Sequence, residues 1–161
     1  GLSLSFGSGM TNIALSIQAV DCLSFSVSRG GDWIDSGAAN ACGCATSKIT
    51  SIKENGVDLV TQSEIREEQA IVFYYVELIE YVIKNLKKQL LMTRGLMFSE
   101  PIPIYISGGT SKAGNFIELF KQQIEKQYAM LPFEVSEIKH AKDPLSSVSH
   151  GLLVQAMQEE G

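Results

Sequence analysis

Three runs of alternating residues near the N-terminal end constrain this chain more than any other feature. Leu2, Leu4 and Phe6 alternate with Ser3 and Ser5, Thr11 to Val20 returns as a second extended segment, and Leu23, Phe25 and Val27 alternate with Ser24, Ser26 and Ser28. A period of two puts one set on a buried face and the other opposite. The links at Gly7-Ser8-Gly9 and Asp21 are too short for crossovers, so the three strands form an antiparallel meander.

After Gly30-Gly31 the period changes. Asp32 is placed to cap a helix running to about Lys53, which Asn55-Gly56 stops. Val57 to Val60 is a connector, and Thr61 or Ser63 caps the longest helix. Glu64, Glu67 and Glu68 suit its start, and Lys84, Lys87, Lys88 and Arg94 its end. Ile65, Val72, Val76, Ile79, Ile83 and Leu86 mark its buried stripe. Tyr74, Tyr75 and Tyr81 read as core and rim rather than a stacking platform. Ile104-Tyr105-Ile106, following Pro101 and Pro103, is an apolar strand expected to be parallel and buried on both faces. A helix to about Tyr128 turns Phe116, Leu119, Phe120 and Ile124 inward. Phe133 to Ile138 is a last strand, ended by a turn over Lys139 to Asp143, and Asp143-Pro144 opens a final helix. The order is that of an α/β, ribonuclease H-like unit: a mixed sheet of about five strands, three antiparallel then two parallel, with helices on both faces. That unit hosts many chemistries.

With 161 residues, 45% of them hydrophobic, the chain reads as a single soluble domain, 1–161. A net charge of −5 without a basic run offers no electrostatic footprint for nucleic acid. The apolar stretches are too short to span a membrane, and Gly1 to Phe6 reads as a strand rather than a charged leader. Cys22, Cys42 and Cys44 are odd in number, and Cys42-Gly43-Cys44 lacks the spacing of zinc sites; they are expected to be buried thiols of a reducing cytoplasm. His140, in an expected solvated turn, and His150, on the last helix, do not suggest a metal site.

Three glycine turns carry the functional signal. In Gly7-Ser8-Gly9-Met10-Thr11-Asn12, backbone N–H groups and hydroxyls can converge on an anion, although a plain hairpin turn accounts for the same residues. Gly30-Gly31-Asp32 enters the first helix. Gly108-Gly109-Thr110-Ser111 joins a buried parallel strand to a helix, where bare backbone can lie against phosphate or ribose oxygens.

In order and spacing these turns resemble the second lobe of the actin-like ATPase superfamily, which includes actin, MreB-type and FtsA-type homologues, plasmid-segregation actins and heat-shock chaperone ATPases. Gly7, Gly9, Thr11 and Asn12 fall on its second phosphate loop, D-[IVL]-G-G-G-T-[TS]-[DN]. Gly30-Gly31-Asp32-x-x-Asp35 is similar to its G-G-D-x-x-D. Ser107 to Ser111 resembles its adenosine loop, and Asp143-Pro144 with Val148 and Gly151 its last helix. The resemblance implies a nucleotide-binding lobe for ATP with Mg²⁺, contacted by Gly7, Ser8, Gly9, Met10, Thr11, Asn12, Gly30, Gly31, Asp32, Lys48, Gly108, Gly109, Thr110 and Ser111, with Lys53 also able to approach the ribose or adenine. It further implies a first lobe outside this sequence, an insertion subdomain reduced to about 54–63, cytoplasmic filaments by self-association, and an ATPase only when both lobes are present. Ser5 stands where the family has a catalytic aspartate, and Thr50 and Ser51 where MreB-like members carry glutamates. The alternative is therefore an actin-fold scaffold of the cell-division or pilus-assembly type with little hydrolysis; a sugar-kinase-like phosphotransferase matches these motifs less well.

Overall fold

The computed structural model describes residues 1–18, 20–127 and 131–141. Strands β1 (Leu2–Phe6), β2 (Thr11–Ile17) and β3 (Val20–Val27) open the chain. Helices α1 (Gly31–Cys42), α2 (Thr46–Glu54) and α3 (Arg66–Met92) follow, then β4 (Ile102–Ser107), α4 (Phe116–Lys126) and β5 (Val135–His140). The strands form one mixed sheet in the order β3-β2-β1-β4-β5. It is antiparallel across β1, β2 and β3, and parallel across β1, β4 and β5.

Alternation decides the faces. Leu4 lies in register with Ile13 and Ile106, and Leu2 with Leu15 and Ile104; all six are buried. Helices α3 and α4 cover this face. Phe6 meets Phe116 and Phe120 edge-on at 5.0 and 6.2 Å between ring centroids, and Tyr75 of α3 meets Phe116 at 6.0 Å. Full burial of an apolar side chain of this size stabilises by about 1.5–3 kcal/mol, so this layer is the main source of cohesion. Ser3, Ser5, Ala14, Ser24 and Tyr105 point to the other face, half-buried or exposed. The helix expected from Asp143, with Val148, His150 and Gly151, lies outside the described residues.

Several boundaries differ from the sequence reading. Strand β2 stops at Ile17 because Gln18 takes a positive φ of 51°, and Val20 already belongs to β3. The helix expected from Asp32 to Lys53 is two helices. Gly43 adopts left-handed backbone, and the Gly43 and Cys44 N–H groups return to the Asn40 and Ala39 carbonyls, ending α1. Gly30 occupies its N-cap, with Asp32 in the first turn. Helix α3 starts at Arg66 without a side-chain cap, and Thr61 bonds Asp58 instead. Its buried stripe is Ile71, Tyr75, Leu78, Ile79, Val82, Ile83, Leu86 and Leu90. Ile65 is exposed, and Val72 and Val76 are marginal. Strand β4 starts earlier, at Ile102, whose N–H donates to the Glu134 carbonyl. Strand β5 starts later and takes in Lys139 and His140, so His140 is an exposed strand residue, not part of a turn. The three cysteines are free and half-buried rather than buried.

Candidate functional site

Sheet topology brings the three glycine turns to one edge. Strands β1 and β4 are parallel with Ser5 opposite Ser107, so Gly7 and Gly108 leave the sheet side by side. Thr11 pairs with both Phe6 and Val27, so the Arg29 to Asp32 segment emerges at the same edge. Sites in α/β sheets form at the carboxyl ends of parallel strands for this reason.

The turns are bonded to one another. Gly7 N–H donates to the Met10 carbonyl (3.0 Å), closing the first turn. The Gly7 carbonyl then accepts from Gly31 N–H (3.0 Å) and Thr110 Oγ1 (2.8 Å), and the Ser8 carbonyl from Asp32 N–H (2.8 Å). Thr11 Oγ1 donates to the Arg29 carbonyl (2.9 Å), and Tyr75 Oη to the Thr110 carbonyl (3.1 Å). A Cβ on Gly30 would overlap the Gly7 carbonyl. One on Gly108, whose φ is +92°, would overlap the Phe6 backbone. The first N–H groups of α1 are thus spent on the turn and do not face an anion. Among the described residues, the Ser8 and Gly9 N–H groups find no protein acceptor.

Between these turns and α2 opens a cleft of about 470 Å³, within the usual range for small-molecule sites. Ser8, Gly31 and Asp32 form one wall, Thr50, Lys53 and Glu54 another, and Gly109, Thr110 and Lys112 a third. At its base Asp35 is buried. Its Oδ2 accepts from Thr50 Oγ1 (2.8 Å), and its Oδ1 has only the Lys53 ammonium (2.5 Å) as partner among the described residues. Lys53 Nζ also donates to the Gly31 carbonyl (3.2 Å), tying α2 to α1. Burial, and secondarily the Asp35 charge, push the Tyr75 hydroxyl pKa well above its ordinary value, so it stays a neutral donor.

Of the residues singled out in the sequence, Ser8, Gly31, Asp32, Gly109 and Thr110 line the cleft. Gly7, Thr11, Gly30, Gly108 and Ser111 build its frame, the Ser111 hydroxyl closing back on the Gly108 carbonyl (2.8 Å). Gly9 and the half-exposed Met10 sit at the turn tip. Asn12 is elsewhere, accepting from Ser26 Oγ across the exposed side of β2 and β3. Lys48 does not line the cleft; it pairs with Glu67 at 2.5 Å. Lys53 takes the inner position. Sequence reasoning left Asp35, Thr50, Glu54, Gly56, Tyr75, Lys112 and Ala113 out of the site. The i, i+3 spacing of Thr50 and Lys53 and the second aspartate of G-G-D-x-x-D were the available signals.

The Volactin family profile matches residues 1–156. No curated protein matches the chain. Among solved structures it is similar to the ethanolamine utilization protein EutJ from Carboxydothermus hydrogenoformans (22% identity, TM-score 0.61, 91% of this chain and 46% of that one). It is also similar to MamK in its double helical filament (14%, 0.70, 97% and 54%) and to MreB5 of Spiroplasma citri bound to ADP (17%, 0.66, 95% and 52%). The chain therefore spans about half the length of these structures, and the likeness shows their actin-like ATPase fold. Matched over nearly its whole length, the chain belongs to the Volactin family.

Proposed function

We propose that this chain is the nucleotide-binding lobe of an actin-like, filament-forming cytoskeletal ATPase of the cytoplasm, completed by a first lobe. The observation carrying this reading is the convergence of the three glycine turns on the Gly7 and Ser8 carbonyls beside the cleft. The residues fit a nucleotide. Gly31 and Gly109 line the cleft beside Lys53 and Thr110, and the Ser8 and Gly9 N–H groups suit phosphate oxygens. With Asp35 neutralised by Lys53, the remaining lining charges are Asp32 and Glu54 against Lys112. A bare triphosphate meets net negative charge there, so a magnesium-complexed nucleotide is the better match. Bound ATP supplies the phosphoanhydride; this chain's residues bind and orient it. MamK, seen as a filament, and MreB5, bound to ADP, support the reading by their shared fold.

Ser5 favours a second reading, an actin-fold scaffold that holds nucleotide but barely hydrolyses it. It sits on β1 in register with Asn12 and Ser107 and brings no charge to order Mg²⁺ or water. Sedimentation of the full-length protein with and without ATP, run beside phosphate release, separates the two. Nucleotide-dependent pelleting is expected. No pellet under any nucleotide, with ATP still bound, selects the scaffold.

A further inference from the structure

We infer that Cys42 and Cys44 form a redox-responsive dithiol at the α1–α2 joint, closing into an intramolecular disulfide by exchange with a low-molecular-weight disulfide such as glutathione disulfide. The distance between the Cα atoms flanking a residue depends on that residue's φ and ψ alone. Gly43, at φ 66° and ψ 36°, is close to the mirror image of helical backbone. Mirror images share distances, and helix radius and rise place residues i and i+2 ~5.4 Å apart. That separation lies inside the range disulfides adopt, so the Cα spacing across Gly43 permits a bridge. A glycine holds this left-handed corner without steric cost.

Access and surroundings agree. Both thiols are half-exposed. Cys42 Sγ points to the Arg66 carbonyl (3.8 Å) at the start of α3, and the Arg66 guanidinium bonds the Ala41 carbonyl (3.0 Å). The Lys48 ammonium, held mainly by Glu67, also lies close enough to both sulfurs for Cys44 and Cys42 to add to its charge stabilisation.

In the exchange one thiolate attacks a sulfur of the small disulfide, giving a mixed disulfide and one small thiolate. The second cysteine attacks the mixed disulfide and releases the other. The protein loses two protons and two electrons, and the small disulfide becomes two thiols. Closure fixes the joint between α1, which carries Asp35, and α2, which carries Thr50 and Lys53, so the redox state reaches the cleft wall.

The test uses the full-length protein carrying Cys22→Ser, in glutathione buffers of graded potential, with peptide mapping by mass spectrometry and amide exchange. Expected are loss of two hydrogen masses on the peptide holding Cys42 and Cys44, slower exchange in α2, and a trapped glutathione adduct when either Cys42→Ser or Cys44→Ser is added. Two thiols still free at the most oxidising ratio, bridges only between molecules, or closure that leaves α2 exchange unchanged would each overturn the proposal. None of these readouts depends on nucleotide.

Discussion

Lys53 holds three things at once: the buried Asp35 carboxylate, the Gly31 carbonyl and a wall of the cleft. Removing one member of a buried pair strands the other charge, so Lys53→Met is expected to cost about 3–5 kcal/mol in urea unfolding. Adding Asp35→Asn should restore most of that, because the orphaned charge is gone. A double variant as unstable as Lys53→Met alone would show that the ion pair is not the cause. The glycines divide in the same way. Gly108→Ala forces a side chain onto left-handed backbone against Phe6, and a loss of at least ~1–3 kcal/mol is expected from strain alone. Gly9, with open space around it, should accept Ala within about 0.5 kcal/mol. Comparing the two thermal midpoints checks whether the first turn and the Gly108 turn play different roles. Sequence spacing identified the glycines but not this division, because which carbonyl approaches which Cα is a tertiary fact. Lys48 and Lys53 illustrate the same limit. Both lie on α2, and only the packing of α2 against α1 and α3 decides that Lys48 meets Glu67 while Lys53 turns inward.

The strands were legible because a period of two with serines on one side leaves little choice, and β1, β2 and β3 follow it closely. The break between α1 and α2 was not, because Cys42-Gly43-Cys44 interrupts the pattern with one residue that a helix interior also tolerates. The stripe of α3 shifted because Tyr75 is drawn inward by Phe116 and the Thr110 carbonyl. The connector after α2 has its own clasp. Asp58 accepts from Asn115 Nδ2, from the Val60 and Thr61 N–H groups and from Thr61 Oγ1, while Leu59 N–H donates to the Gly114 carbonyl. These bonds, that from Asn115 foremost, hold the Asp58 carboxyl well below the usual carboxylate range. A depressed folded pKa contributes stability above the ordinary pKa, which is lost as pH falls through the folded value. The midpoint should therefore fall with acidification below about pH 4, and Asp58→Asn should flatten that fall while lowering the midpoint at neutral pH. Parallel pH profiles for the two proteins would show that Asp58 does not cause the acid loss.

As a whole the domain couples a cohesive apolar layer under the sheet to a polar edge where three turns meet. The layer is the stable part, and truncating Phe6 at its centre, against Phe116 and Phe120, belongs with substitutions costing about 3–5 kcal/mol. On the proposed reading, the turns supply donors at the polar edge while Ser5 brings it no carboxylate, so binding and assembly are expected to persist better than hydrolysis. No described helix is long and apolar enough to cross a membrane. The cleft bounded by Gly31, Lys53 and Gly109 is the proposed seat of the nucleotide. Amide hydrogen exchange on the full-length protein, with and without ATP and Mg²⁺, addresses it directly. Slowed exchange is expected at the Gly7 to Met10 turn, the start of α1, the end of α2 and Gly109 to Lys112. Nucleotide binding that leaves all four segments unchanged would contradict it.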